Sequence, residues 1–377
     1  MKVGILTLPL HDNYGGLLQA YALQIALTGL GHDVTVLRHR GLKARSVRQM
    51  IGQWVPGCLP VRLNNGTRCM LATRRKALKK ISQNMRSFVE EQIQLTDVEY
   101  GEHNLAKLNN AGYDAFIVGS DQVWRPDYAG NIQAYFFSFI DNPSIRKIAY
   151  AASFGAAEWE FSSEETADCA QLLSSFNGVS VRESNAVDWC ETKFQCDVDL
   201  VLDPTLLLGG EHYKKFVTRP REGTYLCSYI LDPAQNLNRA IDEYASTHGF
   251  SRISPMPESQ YTNVGEAGLD RCIYPSMNDW LSAFYYSDVV ITDSFHGTVF
   301  AVMFNKPFLT VMNKGRGAPR FESFLGKLGL LSRLVDSVEN VDEVLANLPE
   351  IDWSLVDGKL EAWRQRSLDF LDRNLPR

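Results

Sequence analysis

Short, nearly continuous apolar runs are the strongest constraint this chain places on its fold. KVGILTL (2–8), DVTVL (33–37), AFIVGS (115–120), KIAYAASF (147–154), GVSVRE (178–183) and DLVLDP (199–204) alternate with segments of helical period. Strands of this kind are buried on both faces, which calls for a parallel sheet covered by helices. Between the first two runs, NYGGLLQAYALQIALTGLGH places Leu17, Leu18, Tyr21, Ala22 and Ile25 on one helical face and ends at Gly29 or Gly31. The pattern restarts near Thr224: TYLCSYIL, the helical LNRAIDEYASTHGF, SRISP, VVITD and PFLTV. The chain is therefore expected to be α/β, with two halves joined around residues 204–222. A final amphipathic helix, LEAWRQRSLDFLDRNL, is placed to pack back across the first half.

At 377 residues there is enough chain for two cores, and 45% apolar with 22% charged residues is the content of a globular protein. No apolar run reaches the ~18 residues of a membrane span, and the first residues read as a strand rather than a secretory signal. The seven cysteines match no zinc spacing and read as reduced thiols in a cytoplasmic protein.

Charge is segregated along the chain. From Val34 to Val89 there is no aspartate or glutamate but thirteen Lys or Arg, within an overall balance of −6. A basic insertion over 38–86, with Met50, Ile51, Trp54 and Leu59 interspersed, points to an anionic membrane surface in preference to nucleic acid. Co-sedimentation with anionic vesicles is the check, and absence of binding would count against it. A solvated basic excursion is the alternative.

Ligands of open α/β sheets bind beyond the carboxyl ends of the strands, so the residues that follow each run are the candidates for binding. After the first run, Asn13 is placed to cap a helix, and Gly15 and Gly16 let a ligand approach the backbone. After AFIVGS comes a Ser120-Asp121-Gln122 turn with Trp124, a set suited to saccharide, with the carboxylate and amide binding hydroxyls and the indole stacking on a ring. An aspartate cap beside a core tryptophan is the plain alternative. Arg182 ends GVSVRE, where a guanidinium needs an anion, either a ligand or a carboxylate such as Glu183. In ITDSFHGTVFAVMFNKPF (291–308), Asp293 or Ser294 can cap a helix that carries His296 and Gly297 in its first turn, where exposed N–H groups favour an anion. Downstream, Lys314, Arg316 and Arg320 form a glycine-rich cationic loop. HExxH, CxxC, P-loop and GxGxxG patterns are absent from the sequence.

Taken in order, the stretch 1–27, DAFIVGSDQVWRP, SVRESNA, LVLDPTLL and ITDSFHGTVFAVMFNKPF resemble the polysaccharide pyruvyl transferases over roughly residues 1–330. The resemblance implies a GT-B-like fold, two Rossmann-like domains facing a cleft, at 1–210 (acceptor side) and 220–335 (phosphoenolpyruvate side), with a helix over 340–377. It implies transfer of the pyruvate group of phosphoenolpyruvate to a sugar as a cyclic ketal, with no required metal or other cofactor. His296 then becomes the candidate general acid or phosphate ligand, and Asp121 the base. Arg182, Ser294, Gly297, Lys314, Arg316 and Arg320 are candidates for phosphoenolpyruvate; Asn13, Tyr14, Gly15, Ser120, Gln122 and Trp124 for the acceptor. A polyprenyl-diphosphate-linked acceptor would suit a basic, partly apolar insertion held at the inner face of the plasma membrane. Two rival readings stay open here: a GT-B glycosyltransferase using a nucleotide sugar, and a non-catalytic glycan-binding member.

Overall fold

The computed structural model describes every residue except 12, 43–75, 219–222, 233, 266, 314–316 and 377. Its first sheet holds seven strands: β1 (Lys2–Leu6), β2 (Asp33–His39), β3 (Leu95–Tyr100), β4 (Ala115–Val118), β5 (Arg146–Ala152), β6 (Gly178–Val181) and β7 (Asp199–Leu200). Their spatial order is β3-β2-β1-β4-β5-β6-β7 and every pairing is parallel. The second sheet runs in the order β12-β11-β10-β8-β9, again all parallel, from β8 (Tyr225–Tyr229), β9 (Ser251–Ile253), β10 (Val289–Thr292), β11 (Phe308–Val311) and β12 (Leu334–Val335). Central strands such as AFIV and VVIT are buried at every residue, as parallel strands covered on both faces must be.

Two of these strands have no counterpart among the expected runs. β3, LTDVEY, lies at a sheet edge with three consecutive exposed residues, so it carries polar side chains where a central strand could not. β12 has only two residues, too few to register as a pattern.

Helix α1 (Tyr14–Gly29) connects β1 to β2. Asn13 caps it by accepting from the Gly16 N–H at 3.3 Å, and the chain leaves it through Gly31 at φ +89°. Its burial extends well beyond the one expected face, and the chain at 204–207 packs against it. The last helix, Trp353–Asn374, returns to the first domain. Its Trp363 indole donates to the Leu200 carbonyl (3.2 Å), Arg364 Nε donates to that of Leu206 (2.7 Å), and Ser367 Oγ accepts from the Leu202 N–H (3.0 Å). Among the described residues, no helix is long and apolar enough to cross a membrane.

Each sheet reverses its direction of growth once, between β1 and β4 in the first and between β8 and β10 in the second. These are the switch points where α/β sheets open a crevice. The two domains are joined beside them by an aromatic contact: Tyr14 stacks on Trp280 with centroids 5.3 Å apart, and its hydroxyl donates to the Pro275 carbonyl at 2.7 Å. Burial, with Tyr229 and Tyr274 nearby, pushes the Tyr14 hydroxyl far above its ordinary range and keeps it a neutral donor. Tyr14→Phe is expected to cost about 1 kcal/mol and Tyr14→Ala about 3–5 kcal/mol, read as a lowered urea midpoint; equal midpoints for both variants and the parent would show that this contact carries no load.

Candidate active site between the two switch points

The second switch point is built on a strand-to-helix turn. β10 ends at Thr292, whose hydroxyl donates to the Tyr229 carbonyl (2.6 Å) and accepts from the Ser294 N–H (3.1 Å). Asp293 ties β10 to the end of β8 by accepting from the N–H groups of Leu231 (2.7 Å) and Asp232 (2.9 Å); burial pushes its carboxyl up against the pull of those bonds. Of the two expected caps, Ser294 is the one that acts, its hydroxyl accepting from Gly297 N–H at 3.3 Å. The helix Phe295–Met303 follows, with His296 buried in its first turn. Gly297 is required by packing: a Cβ there would lie 2.3 Å from Thr292 Oγ1.

The imidazole of His296 projects across the domain boundary. A Cβ on Gly15 would lie 1.9 Å from His296 Nδ1, so the glycine at the start of α1 is what lets the ring in. On its other edge, Nε2 lies 3.5 Å from Asp203 Oδ2, at ion-pair rather than hydrogen-bond distance. Asp203 follows β7 and accepts from the Thr205 N–H (3.0 Å) and hydroxyl (2.7 Å) on Oδ1, and from Arg182 Nη1 on Oδ2 at 2.6 Å. Burial alone would raise its carboxyl, but His296, then Arg182 and Thr205, hold it well below the usual carboxylate range.

Arg182 is the hub. Besides Asp203 it meets Asp121 at 3.4 Å and Glu183 at 3.8 Å. Burial opposes its charge, and the three carboxylates more than offset it. Glu183 in turn accepts from Ser153 Oγ (2.9 Å), Phe154 N–H (2.8 Å) and Gly155 N–H (3.2 Å), fixing the loop after β5. Asp121 sits in the left-handed region at φ +54°. Its carboxylate faces the first turn of α1, Oδ2 being 3.4 Å from where a Gly16 Cβ would lie. From the second domain, the helix Ala318–Leu328 brings in the buried Arg320, whose guanidinium is 5.3 Å from the centre of the Phe295 ring, with that of Arg182 at 5.1 Å. Burial, and then Arg182 beside it, push Arg320 down to about 10, still charged at neutral pH. Among the described residues, three carboxylates face two guanidiniums and the imidazole, so that the cluster is neutral when His296 carries a proton.

The structure thus brings together His296, Asp121, Arg182, Arg320, Ser294, Gly297, Asn13 and Gly15. It separates others. Trp124 is fully buried, stacked on Phe136 at 4.8 Å with its indole N–H donated to the Tyr135 carbonyl, so neither ring face is open to a sugar. Tyr14 is likewise spent in the joint between the domains. Gln122 is buried against Gly155 and accepts from Arg125 Nη1 at 3.1 Å, and Ser120 is enclosed with its N–H donated to Gln19 Oε1 at 2.8 Å. Arg182 is engaged by carboxylates, the second of its two expected partners, and is not presented to a ligand. Lys314, Arg316 and most of the basic insertion lie outside the described residues. Among its described members, Lys80 pairs with Asp270, and Arg40 with Glu99 at 3.0 Å. Asp203 was not anticipated; its signal is an aspartate at a strand end followed by Pro204 and Thr205, which also reads as an ordinary turn cap.

Two parallel-sheet domains with a polar cluster between their switch points define a GT-B-like α/β protein. Solved structures agree on the fold: a protein of Listeria monocytogenes described as a UDP-N-acetylglucosamine 2-epimerase is similar at 12% identity, with a TM-score of 0.54 over 98% of this chain and 90% of that one. UGT89C1 of Arabidopsis thaliana, solved with UDP-L-rhamnose, is similar at 12% identity and a TM-score of 0.52 over 99% of both chains. A search of curated sequences finds no match. The family model for polysaccharide pyruvyl transferase matches residues 13–315, and the chain belongs to that family.

Gly15→Ala is expected to displace the His296 ring and lower transferase turnover by about 100-fold, the usual result of a misplacement near 1 Å. Helix content by circular dichroism should be kept, since alanine favours a helix more than glycine does; full turnover in this variant would contradict the packing described.

Proposed function

We propose that this transferase moves the pyruvate group of phosphoenolpyruvate onto a sugar of a polysaccharide or of a lipid-linked oligosaccharide precursor, forming a cyclic ketal and releasing phosphate. The observation that supports it best is the buried His296, set at a helix N-terminus among balanced charges where two domains meet, in a chain of the polysaccharide pyruvyl transferase family.

The chemistry asks for a proton at the methylene carbon of phosphoenolpyruvate. His296 supplies it in this reading, making the central carbon electrophilic. A sugar hydroxyl then bonds to that carbon and gives its proton to Asp121; the carbon–oxygen bond to phosphate breaks, and a second hydroxyl closes the ring. Two hydroxyl protons are lost, which balances one gained by the new methyl group and one by the departing phosphate. As written, the reaction needs no metal or other cofactor.

Substrate charge decides which cations are left to bind it. A cluster already neutral with His296 protonated has no surplus for a phosphate and a carboxylate, so further positive charge must come from elsewhere. The N–H groups of Phe295 and His296, which open a helix, supply part of it. Lys314 and Arg316, two cations between β11 and the helix carrying Arg320, are assigned the remainder from their place in the sequence. Asn13, exposed at the mouth of α1, is kept as an acceptor contact.

Phosphate release from phosphoenolpyruvate, measured with galactosyl, mannosyl and glucosyl acceptors, tests this reading. One acceptor should support turnover; His296→Ala should abolish it with the fold intact, and Lys314→Ala or Arg316→Ala should raise KM for phosphoenolpyruvate by about tenfold or more, the effect of one lost charge-assisted contact. Turnover of a nucleotide sugar with no consumption of phosphoenolpyruvate would refute it.

A further inference from the structure

The two nitrogens of His296 have different surroundings. Nε2 is wholly buried and faces the carboxylate of Asp203 at 3.5 Å. Nδ1 lies against the backbone of Gly15, in the space that a side chain there would fill. In an imidazole, a carboxylate that faces one nitrogen favours the proton on that nitrogen and leaves the other free to act.

Asp203 is itself held from three directions, by the Thr205 N–H, the Thr205 hydroxyl and Arg182. It cannot swing to follow the ring, so the ring must come to it. It belongs to the first domain and His296 to the second. The same boundary is closed by Tyr14 on Trp280, one residue before Gly15, and by Ser184 donating its N–H to Ser323 Oγ at 3.1 Å. Among the described residues, the charged groups linked to this pair are Arg182, Asp121 and Glu183 from the first domain and, across Phe295, Arg320 from the second.

We propose that Asp203 is the positioning residue for His296: it keeps the proton on Nε2, so that Nδ1, on the Gly15 side, is the nitrogen that exchanges a proton with substrate. The working acid is then a pair assembled across the two domains, with Asp203 touching no reacting atom. A carboxylate in this place fixes tautomer and orientation and stabilises the imidazolium, as the aspartate of a serine-protease triad does for its histidine. The proposal rests on the reading of His296 as the acid, but its first test needs no substrate.

Nitrogen-15 correlation spectra of the histidine rings in the full-length parent protein, with His296 identified by its loss in His296→Ala, should show the neutral ring protonated on Nε2. A ring protonated on Nδ1 with Nε2 bare overturns the proposal, whatever reaction the enzyme performs. Asp203→Asn should then move the proton to Nδ1, because an amide can donate to Nε2, and should lower kcat for phosphate release by about 10⁴-fold, the loss that a mis-set tautomer brings in a serine-protease triad. KM for phosphoenolpyruvate should hold. An unchanged tautomer with an unchanged kcat in that variant also overturns it. If Asp203→Asn fails to fold because Arg182 loses its partner, the parent spectrum still decides. If the parent releases no phosphate with any acceptor, the reaction assigned above fails while the tautomer still judges the pair.

Discussion

The ion pair between Arg182 and Asp203, 2.6 Å long and closed to solvent, is the interaction on which the rest of the site depends. Burying charge is costly, and removal of one partner of such a pair typically costs about 3–5 kcal/mol because the other is stranded. The return on that cost is positional. Through Arg182, the loops after β4, β6 and β7 are drawn to one point by Asp121, Glu183 and Asp203, and Glu183 fixes the loop after β5 through three further bonds. Four strand ends of the first domain are thereby set relative to one another before the second domain contributes His296 and Arg320.

The two domains meet at their switch points for a steric reason as much as an electrostatic one. Gly15 and Gly16 open α1 without side chains, so a histidine ring can lie against one and a carboxylate against the other. Any larger residue at 15 would occupy the place of Nδ1. Tyr14, the preceding residue, fills an aromatic socket around Trp280 and so fastens the boundary that its neighbour leaves open. One short turn therefore joins the domains and admits the His296 ring.

Much of this was legible in the sequence because parallel strands advertise themselves as apolar runs and switch-point residues follow them directly. His296, Asp121 and Arg182 stand just after strands, where the fold gathers them into one cluster, and the quoted motifs belong to the family whose model spans 13–315. Trp124 and Tyr14 depart from the expected acceptor role for one reason: an aromatic beside a polar turn looks the same in sequence whether its face meets a sugar or a core. Only packing separates the two, and both rings are packed. Asp203 escaped notice because its importance arises from Arg182 and His296, which lie 21 and 93 positions away in the chain and reach it only through the fold. β3 was hidden by its edge position, which permits polar residues a central strand would not carry.

In the proposed reaction, this site protonates the methylene carbon of phosphoenolpyruvate while a sugar adds beside it. Turnover in deuterium oxide tests it most directly, with the product read by proton NMR. The expected product has a ketal methyl group carrying one deuterium, delivered through His296 after exchange with solvent. A product that keeps its vinyl protons, or a methyl group free of deuterium, would contradict it.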